Sequence, residues 1–365
     1  MVIMADERID PWGNAEIRDY AHIFKEFGLN AFPEEWKKSL NHRLFERGII
    51  IAHRDFQKIM QRISSKKPFI NITGIASSGF LHLGHKADID LFKFFKDCKA
   101  KNYFAISDID AYVSREKIPD MEAAKKFAAD NLAHALALGL ETKDVYVQSR
   151  KEPRYYTFAF ELGKKITQAT FEAIYGHVDL GKVSAGLLQY ADILHQQLKE
   201  YEGRMPSITG IGLDQDPHAR LTRDIAQRLS YDIEVPSFIY FKHQSGLKEG
   251  TKMSSSDPDT AIFLNDSSEA AAKKISNAFT GGRNTEAEQR QLGGNPDVCK
   301  VHEILLFHHP DSREVKRIYD ECRKGKWLCR ECKQFTSKFV VQFLKKHQAL
   351  VKKKMPIAQK IVYGK

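Results

Sequence analysis

No stretch of this sequence is apolar for the length a bilayer crossing needs, since a spanning helix takes about 20 consecutive apolar residues. Nor do the opening residues read as a secretory signal. The opening MVIMADERIDPW brings in acidic and basic residues before any apolar stretch forms, so the expected compartment is the cytoplasm. Cysteine is scarce. There are five in 365 residues, and only Cys322, Cys329 and Cys332 cluster, which excludes a disulfide framework and fits a reducing compartment. No internal repeat or low-complexity tract is present. The signature of disorder is absent too, because 42% of residues are hydrophobic and 28% are charged, the balance of a folded globular chain.

Acidic residues run out toward the end. None follows Glu331, while Lys333, Lys338, Lys345, Lys346, Lys352, Lys353, Lys354, Lys360 and Lys365 do. With a formal net charge of +10 the chain attracts polyanions. The tail reads either as a solvated helix or as a surface that meets RNA. The length allows two or three domains with substantial cores.

Short apolar runs alternate with helical spacing along the first two thirds. Residues 48–52, 69–72, 103–106, 144–147 and 207–212 read as strands. His53-Arg54-Asp55, His82–Lys96, 121–138 and 218–229 read as starting or forming helices. This alternation predicts an α/β fold, a parallel sheet wound with helices, whose ligands lie at the carboxyl ends of the strands. Residues 1–65 form an N-terminal extension, 66–266 the catalytic unit with a helical insertion at about 155–203, and 267–365 a helical C-terminal domain. Within the last, 312–346 reads as one continuous helix.

Two segments carry phosphate chemistry. In Thr73-Gly74-Ile75-Ala76-Ser77-Ser78-Gly79-Phe80-Leu81-His82-Leu83-Gly84-His85 a strand ends in small residues and a helix begins. Free N–H groups and the dipole of such a helix start attract anions. His82 and His85, three apart, share a face and can donate to phosphate oxygens. Gly84 lets a nucleotide lie against the helix without meeting a Cβ. Far downstream, Lys252-Met253-Ser254-Ser255-Ser256 sits in a Gly- and Ser-rich loop. A lysine there can close on departing phosphates in the transition state.

The pair HLGH and KMSSS resembles the two signatures of class I aminoacyl-tRNA synthetases, in their order, with Ser255 standing where the usual second lysine is. Further blocks resemble the tryptophanyl-tRNA synthetases of archaeal and eukaryotic type. They are Ile9-Asp10-Pro11-Trp12, Arg47-Gly48-Ile49-Ile50 with His53-Arg54-Asp55, Asp214-Gln215-Asp216-Pro217 with Leu221-Thr222-Arg223-Asp224, Asp257-Pro258 with Ala261-Ile262-Phe263-Leu264, Ala278-Phe279-Thr280-Gly281-Gly282-Arg283 and Gln291-Leu292-Gly293-Gly294. The resemblance implies a Rossmann-like catalytic domain and a helical C-terminal domain that meets the anticodon arm. It also implies ATP with Mg²⁺, L-tryptophan and tRNA(Trp) as ligands, and a homodimer.

Carried over to this chain, the catalytic residues are His82, His85 and Lys252. ATP is bound by Gly74, Ser78, His82, Gly84, His85, Gly212, Asp214, Lys252, Met253 and Ser254, and the amino acid by Asp110, Gln189, Asp192 and Gln215. An indole has one N–H to donate, so its slot wants one acceptor in dry surroundings. Gln189 and Asp192, three apart on an otherwise apolar helix, supply candidates. Two indole contacts of the eukaryotic form are replaced here by Ile72 and Ala105, and Asp192 is expected to take over the indole while Asp110 helps hold the α-ammonium. A tyrosyl-tRNA synthetase and a non-catalytic tRNA-binding paralogue are the alternatives. Cys329 and Cys332 have the spacing of a metal knuckle, and Cys322 and Cys299 are nearby in sequence, yet ordinary reduced thiols and no metal site are the expectation.

Overall fold

The computed structural model describes residue 24 and residues 27–177, 179–251, 253 and 257–364. The first strand, β1 (Asn30–Ala31), is followed by α1 (Glu34–Leu40), α2 (Arg43–Glu46), β2 (Ile50–Arg54) and α3 (Gln57–Ser64). The central unit then runs through β3 (Ile70–Ala76), α4 (Leu83–Asp97), β4 (Lys101–Ser107), α5 (Asp108–Ser114), α6 (Met121–Ala137) and β5 (Val145–Val147). Next come α7 (Pro153–Gly163), α8 (Gln168–Tyr175), α9 (Leu180–Leu194), β6 (Ser207–Gly212), α10 (Asp216–Arg228) and β7 (Ser237–Phe241). Helices follow: α11 (Ser268–Asn277), α12 (Glu286–Leu292), α13 (Lys300–His308), α14 (Ser312–Arg323) and α15 (Cys329–Tyr363).

The seven strands lie in the order β1-β2-β7-β6-β3-β4-β5. The five from β7 to β5 are parallel, with Ile70 opposite Lys101 and Ala76 opposite Ser107 across β3 and β4. β1 and β2 add an antiparallel edge. Phe69, Ile70, Ile72, Phe104, Ile106, Ile208 and Ile239 are buried, as a parallel sheet covered on both faces requires. From β3 the chain winds to β4 and β5 on one side, then crosses to β6 and β7 on the other. The gap between the carboxyl ends of β3 and β6 is thus the switch point of a doubly wound sheet, where such folds bind ligands.

α6 explains how the C-terminal helices attach. Ala124, Ala128, Ala129, Ala133 and Ala135 are buried, and these small side chains let the long α15 lie close. Its Val340, Leu344, Val351, Ala358 and Val362 join Leu132 and Leu136 in one core, and His134 Nδ1 and His347 Nε2 sit 2.8 Å apart within it. The helices after residue 266 therefore share a core with the sheet-bearing half. Arg47 adds a second tie, donating to the Leu306 carbonyl at 2.9 Å and to Ser312 Oγ at 3.0 Å.

Three sequence expectations change. His53 and Arg54 finish β2 and do not start a helix. Arg54 is drawn into the strand by Asp216, which accepts from its Nε and Nη2 at 3.0 Å each and from Tyr240 Oη at 2.6 Å. β7, whose Phe238, Ile239 and Tyr240 are buried, was not among the expected strands. The helix expected over 312–346 is two helices, because the chain turns between Arg323 and Cys329 with Gly325 at φ +70°.

Candidate functional site

α4 begins at the switch point, and its start is organised by its own histidines. His82 is the N-cap, in extended backbone, and its Nδ1 accepts from Gly84 N–H at 3.1 Å. His85 Nδ1 accepts from His82 N–H at 3.2 Å. Both Nδ1 atoms thus act as acceptors, which fixes the neutral tautomer with the proton on Nε2. Burial holds His85 down at about 4. Burial first, then the neighbouring His85 and His308, holds His82 well below the ordinary imidazole value. At neutral pH this helix start presents two uncharged Nε2–H donors, with ring centroids 4.0 Å apart.

This differs from the expected array of bare backbone donors. Leu83 N–H is already bonded to the Ile262 carbonyl at 3.0 Å, and Gly84 N–H to His82. The reason for glycine at 84 is local too. A Cβ there would stand 2.8 Å from His82 Cε1, so glycine lets the imidazole fold back as a cap. At Gly74 the Cβ would meet Ala105 Cβ at 2.7 Å. Close approach of β4 thus requires glycine there, whatever a ligand also asks of it. Ser78, half-buried, follows in the turn, its N–H donated to the Ala76 carbonyl at 2.8 Å.

Across the switch point, β6 ends at Gly212. A Cβ on Gly212 would stand 2.4 Å from His243 Cε1, and glycine is what lets His243 Nε2 reach Asp214 Oδ1 at 2.8 Å. Sequence reading named Asp214 and missed His243, which follows β7. It also missed Asp88, three residues beyond His85 on α4. Burial pushes the Asp88 carboxyl well above the usual range, and the charges of Asp214 and Asp90 push it further. The signal was available, because positions 82, 85 and 88 follow helical spacing. Gln215 caps α10 with its backbone, and the next residue, Asp216, is fully buried in the ion pair with Arg54.

The loop between β7 and α11 is tied to the start of α4. His82 pairs with Phe263 in an antiparallel bridge, and Leu264 N–H donates to the Leu81 carbonyl at 2.8 Å. Met253 is buried in the main core. Lys252, Ser254, Ser255 and Ser256 lie outside the described residues, as does the Ile9–Trp12 block. Lys248 Nζ is 3.4 Å from Asp257 Oδ2.

A second polar cluster is built by β5, α5, α7 and α9. Asp192, buried on α9, accepts from Tyr146 Oη and Tyr155 Oη at Oδ1, each at 2.7 Å, and from Gln148 Nε2 at Oδ2, also at 2.7 Å. A carboxylate oxygen offers two acceptor positions, so Oδ2 retains one for a further donor. Burial pushes Asp192 up to about 6 against the pull of these three donors. Gln148 Oε1 accepts from the backbone N–H of Asp110 at 3.1 Å, so one side chain links the Asp192 carboxylate to the main chain of Asp110, the other acidic residue the sequence had singled out. Asp110 is raised by burial, partly countered by Ser114, whose hydroxyl donates to it at 2.9 Å. Gln189 is half-buried one turn before Asp192. Lys151 covers the cluster, its ammonium 5.0 Å from the Tyr146 and Tyr201 ring centroids and 5.7 Å from that of Tyr155. Tyr146, Gln148 and Tyr155 escaped sequence reading because each sits in an apolar or turn context with no motif of its own.

Residues 64–345 match the family of class I tRNA synthetases for W and Y. The chain is similar to the tryptophan–tRNA ligase of Aeropyrum pernix, 42% identical over 98% of this chain and 99% of that one. It is also similar to the tryptophan–tRNA ligase of Methanocaldococcus jannaschii, 37% identical over 98% of each. Among solved structures, the tryptophanyl-tRNA synthetase of Aeropyrum pernix superposes with a TM-score of 0.88 at 41% identity, covering 96% of this chain and 98% of that one.

Proposed function

The chain belongs to the class I tRNA synthetases for tryptophan and tyrosine, and from that premise we propose that it activates L-tryptophan with ATP and passes it to tRNA(Trp). The carboxylate of the amino acid attacks the α-phosphate in line, pyrophosphate leaves, and the adenylate is consumed by a terminal ribose hydroxyl of the tRNA. No side chain need act as a nucleophile, so the protein contributes position and charge stabilisation.

The observation that carries this reading is the start of α4 at the switch point. Its two neutral imidazoles are locked by their own backbone with Nε2–H groups free to donate to a phosphate. Donors preorganised in this way do not have to turn as charge develops. Lys252 joins them from its loop. Gly212 and Asp214 take the ribose, Gln215 the polar end of the amino acid, and Gly74 and Ser78 the turn beside the phosphates. Mg²⁺ supplies charge neutralisation on the phosphates.

Tryptophan is favoured over tyrosine by the 42% and 37% identity to the two archaeal ligases, each over 98% of this chain. In this reading the indole N–H donates to the remaining position on Asp192 Oδ2, Asp110 and Gln189 hold the α-ammonium, and the protein acts in the cytoplasm as a homodimer. The test is charging of tRNA(Trp) and tRNA(Tyr) transcripts with labelled amino acids. Tryptophan on tRNA(Trp) alone is expected, and tyrosine on tRNA(Tyr) would replace this reading with the tyrosyl one.

A further inference from the structure

α15 leaves Lys345 and Lys346 exposed to solvent and turns the next two residues, His347 and Gln348, inward. Gln348 Nε2 donates to the Leu264 carbonyl at 3.0 Å and to the Asp266 carbonyl at 2.9 Å, which uses both hydrogens of one amide nitrogen. These carbonyls close a short strap, residues 260–266, in which Ala261, Ile262 and Leu264 are fully buried. The strap pairs with the segment that carries His82. Leu83 N–H donates to the Ile262 carbonyl at 3.0 Å, Leu264 N–H donates to the Leu81 carbonyl at 2.8 Å, and Phe263 stands opposite His82.

The backbone of His82 owes its place to this pairing, which is an isolated bridge outside the main sheet. Two short segments paired alone are marginally stable, so the strap has to be held from outside. Lys274 does this at one point, donating to the Ala261 carbonyl at 3.0 Å and to the Asp266 carboxylate at 2.7 Å. Gln348 does it at another, just past the last pairing residue. The same helix also grips α4 directly. Lys86, next to His85, has its ammonium 5.5 Å from the Phe343 ring centroid. Phe343 stacks on His347 with planes 16° apart and centroids 5.4 Å apart, and His347 meets His134 of α6 at 2.8 Å. Phe343 and Gln348 thus hold the two sides of the pairing against each other from one helix.

We propose that Gln348 is a positioning residue for adenylate formation, fixing the strap so that His82 Nε2–H stands where charge develops on the phosphates. This role rests on the activation reaction assigned above to the start of α4. Gln348 acts through Leu264, Leu81 and the His82 backbone and need touch no substrate. A group misplaced by about 1 Å can cost about 10²-fold in rate, so a side chain outside the site has leverage on the chemistry. The displaced donor matters most once charge has developed. The loss therefore falls on the chemical step and not on the binding of tryptophan.

The test is adenylate formation by the full chain in a single turnover, normalised to titrated active sites, with steady-state KM alongside. Gln348→Ala should lower the rate about tenfold and leave KM for tryptophan within about twofold of the wild type. Gln348→Glu, of the same shape without an N–H, should match it. Gln348→Lys, which restores a donor, should recover about half the wild-type rate or more. In a His82→Asn background Gln348→Ala should cost less than about twofold, because the donor it positions is already gone. Should Gln348→Ala fail to fold, Gln348→Glu takes its place in each comparison. The role is overturned by a loss that vanishes once active sites are counted, by a loss confined to KM, or by losses that multiply in the double variant. A wild-type chain that activates no amino acid would end both this role and the functional reading. An active wild type whose Gln348 variants keep its rate would end this role alone.

Discussion

At the scale of single residues, the two halves of an imidazole do different work at His82. Its Nδ1 holds the start of α4 and its Nε2–H faces the proposed phosphate, so two substitutions separate the roles. In His82→Asn the short amide oxygen keeps the cap, and amino-acid activation should fall about 10²–10³-fold, the loss seen when one transition-state donor is removed, with the melting midpoint held. In His82→Gln the longer amide keeps a donor but loses the cap, costing about 1 kcal/mol of stability with a smaller loss of rate. Thermal melts alongside single-turnover kinetics read both. Asp192 makes a prediction in pH. Its folded pKa, about 6, lies above the unfolded carboxylate value of about 4. The native state therefore binds the proton more tightly, and stability declines as pH rises through that window. Ionised Asp192 is the form with acceptors to spare, so kcat/KM for tryptophan should drop as pH is lowered through about 6. Asp192→Asn should lose that limb of the profile. Motif spacing singled out His82, His85 and Asp192 in the sequence, and the family resemblance alone pointed to Asp110. Gln148, Tyr146, Tyr155 and His243 were not, because their meaning comes from strands and helices that meet only in three dimensions.

Among elements, β2, β7 and the start of α10 are joined through Asp216, a fully buried carboxylate held by Arg54 and Tyr240. The sequence block Asp214-Gln215-Asp216-Pro217 thus divides its labour: Asp214 faces the switch point and Asp216 braces the sheet edge. Removing one partner of such a pair leaves a buried charge uncompensated. Asp216→Asn should destabilise the fold by about 3–5 kcal/mol in denaturant titration, and a loss under 1 kcal/mol would show that the brace is incidental. The parallel strands could be read from their apolar runs, and the long helix α6 from its alanine spacing. β7 was overlooked although Ser237-Phe238-Ile239-Tyr240-Phe241 carries the aromatic and β-branched bias of a strand. The break between α14 and α15 was hidden because lysine, arginine and glutamate on both sides keep helical propensity high, and one glycine in left-handed backbone overrides them.

For the whole molecule, the shared core of α6 and α15 makes the C-terminal helices an extension of the catalytic half, and the lysines of α15 then stand on a rigid support. If that surface meets tRNA, binding should weaken steeply with salt, the logarithm of affinity falling by about 0.7–0.9 per phosphate contact for each tenfold rise. Adenylate formation, measured without tRNA, should change little over the same range. A tRNA affinity independent of salt would remove the basic tail from the account. Sequence alone supplied the overall charge and the alternation of strands and helices. The continuity of the core was beyond it, since a hydrophobic helix face does not announce its partner. The most direct test of the central claim is amino-acid-dependent ATP–pyrophosphate exchange by the purified chain with tryptophan, tyrosine and phenylalanine in turn. Exchange with tryptophan alone is predicted, whereas exchange with tyrosine, or none with any of the three from folded protein that still binds tRNA, would contradict it.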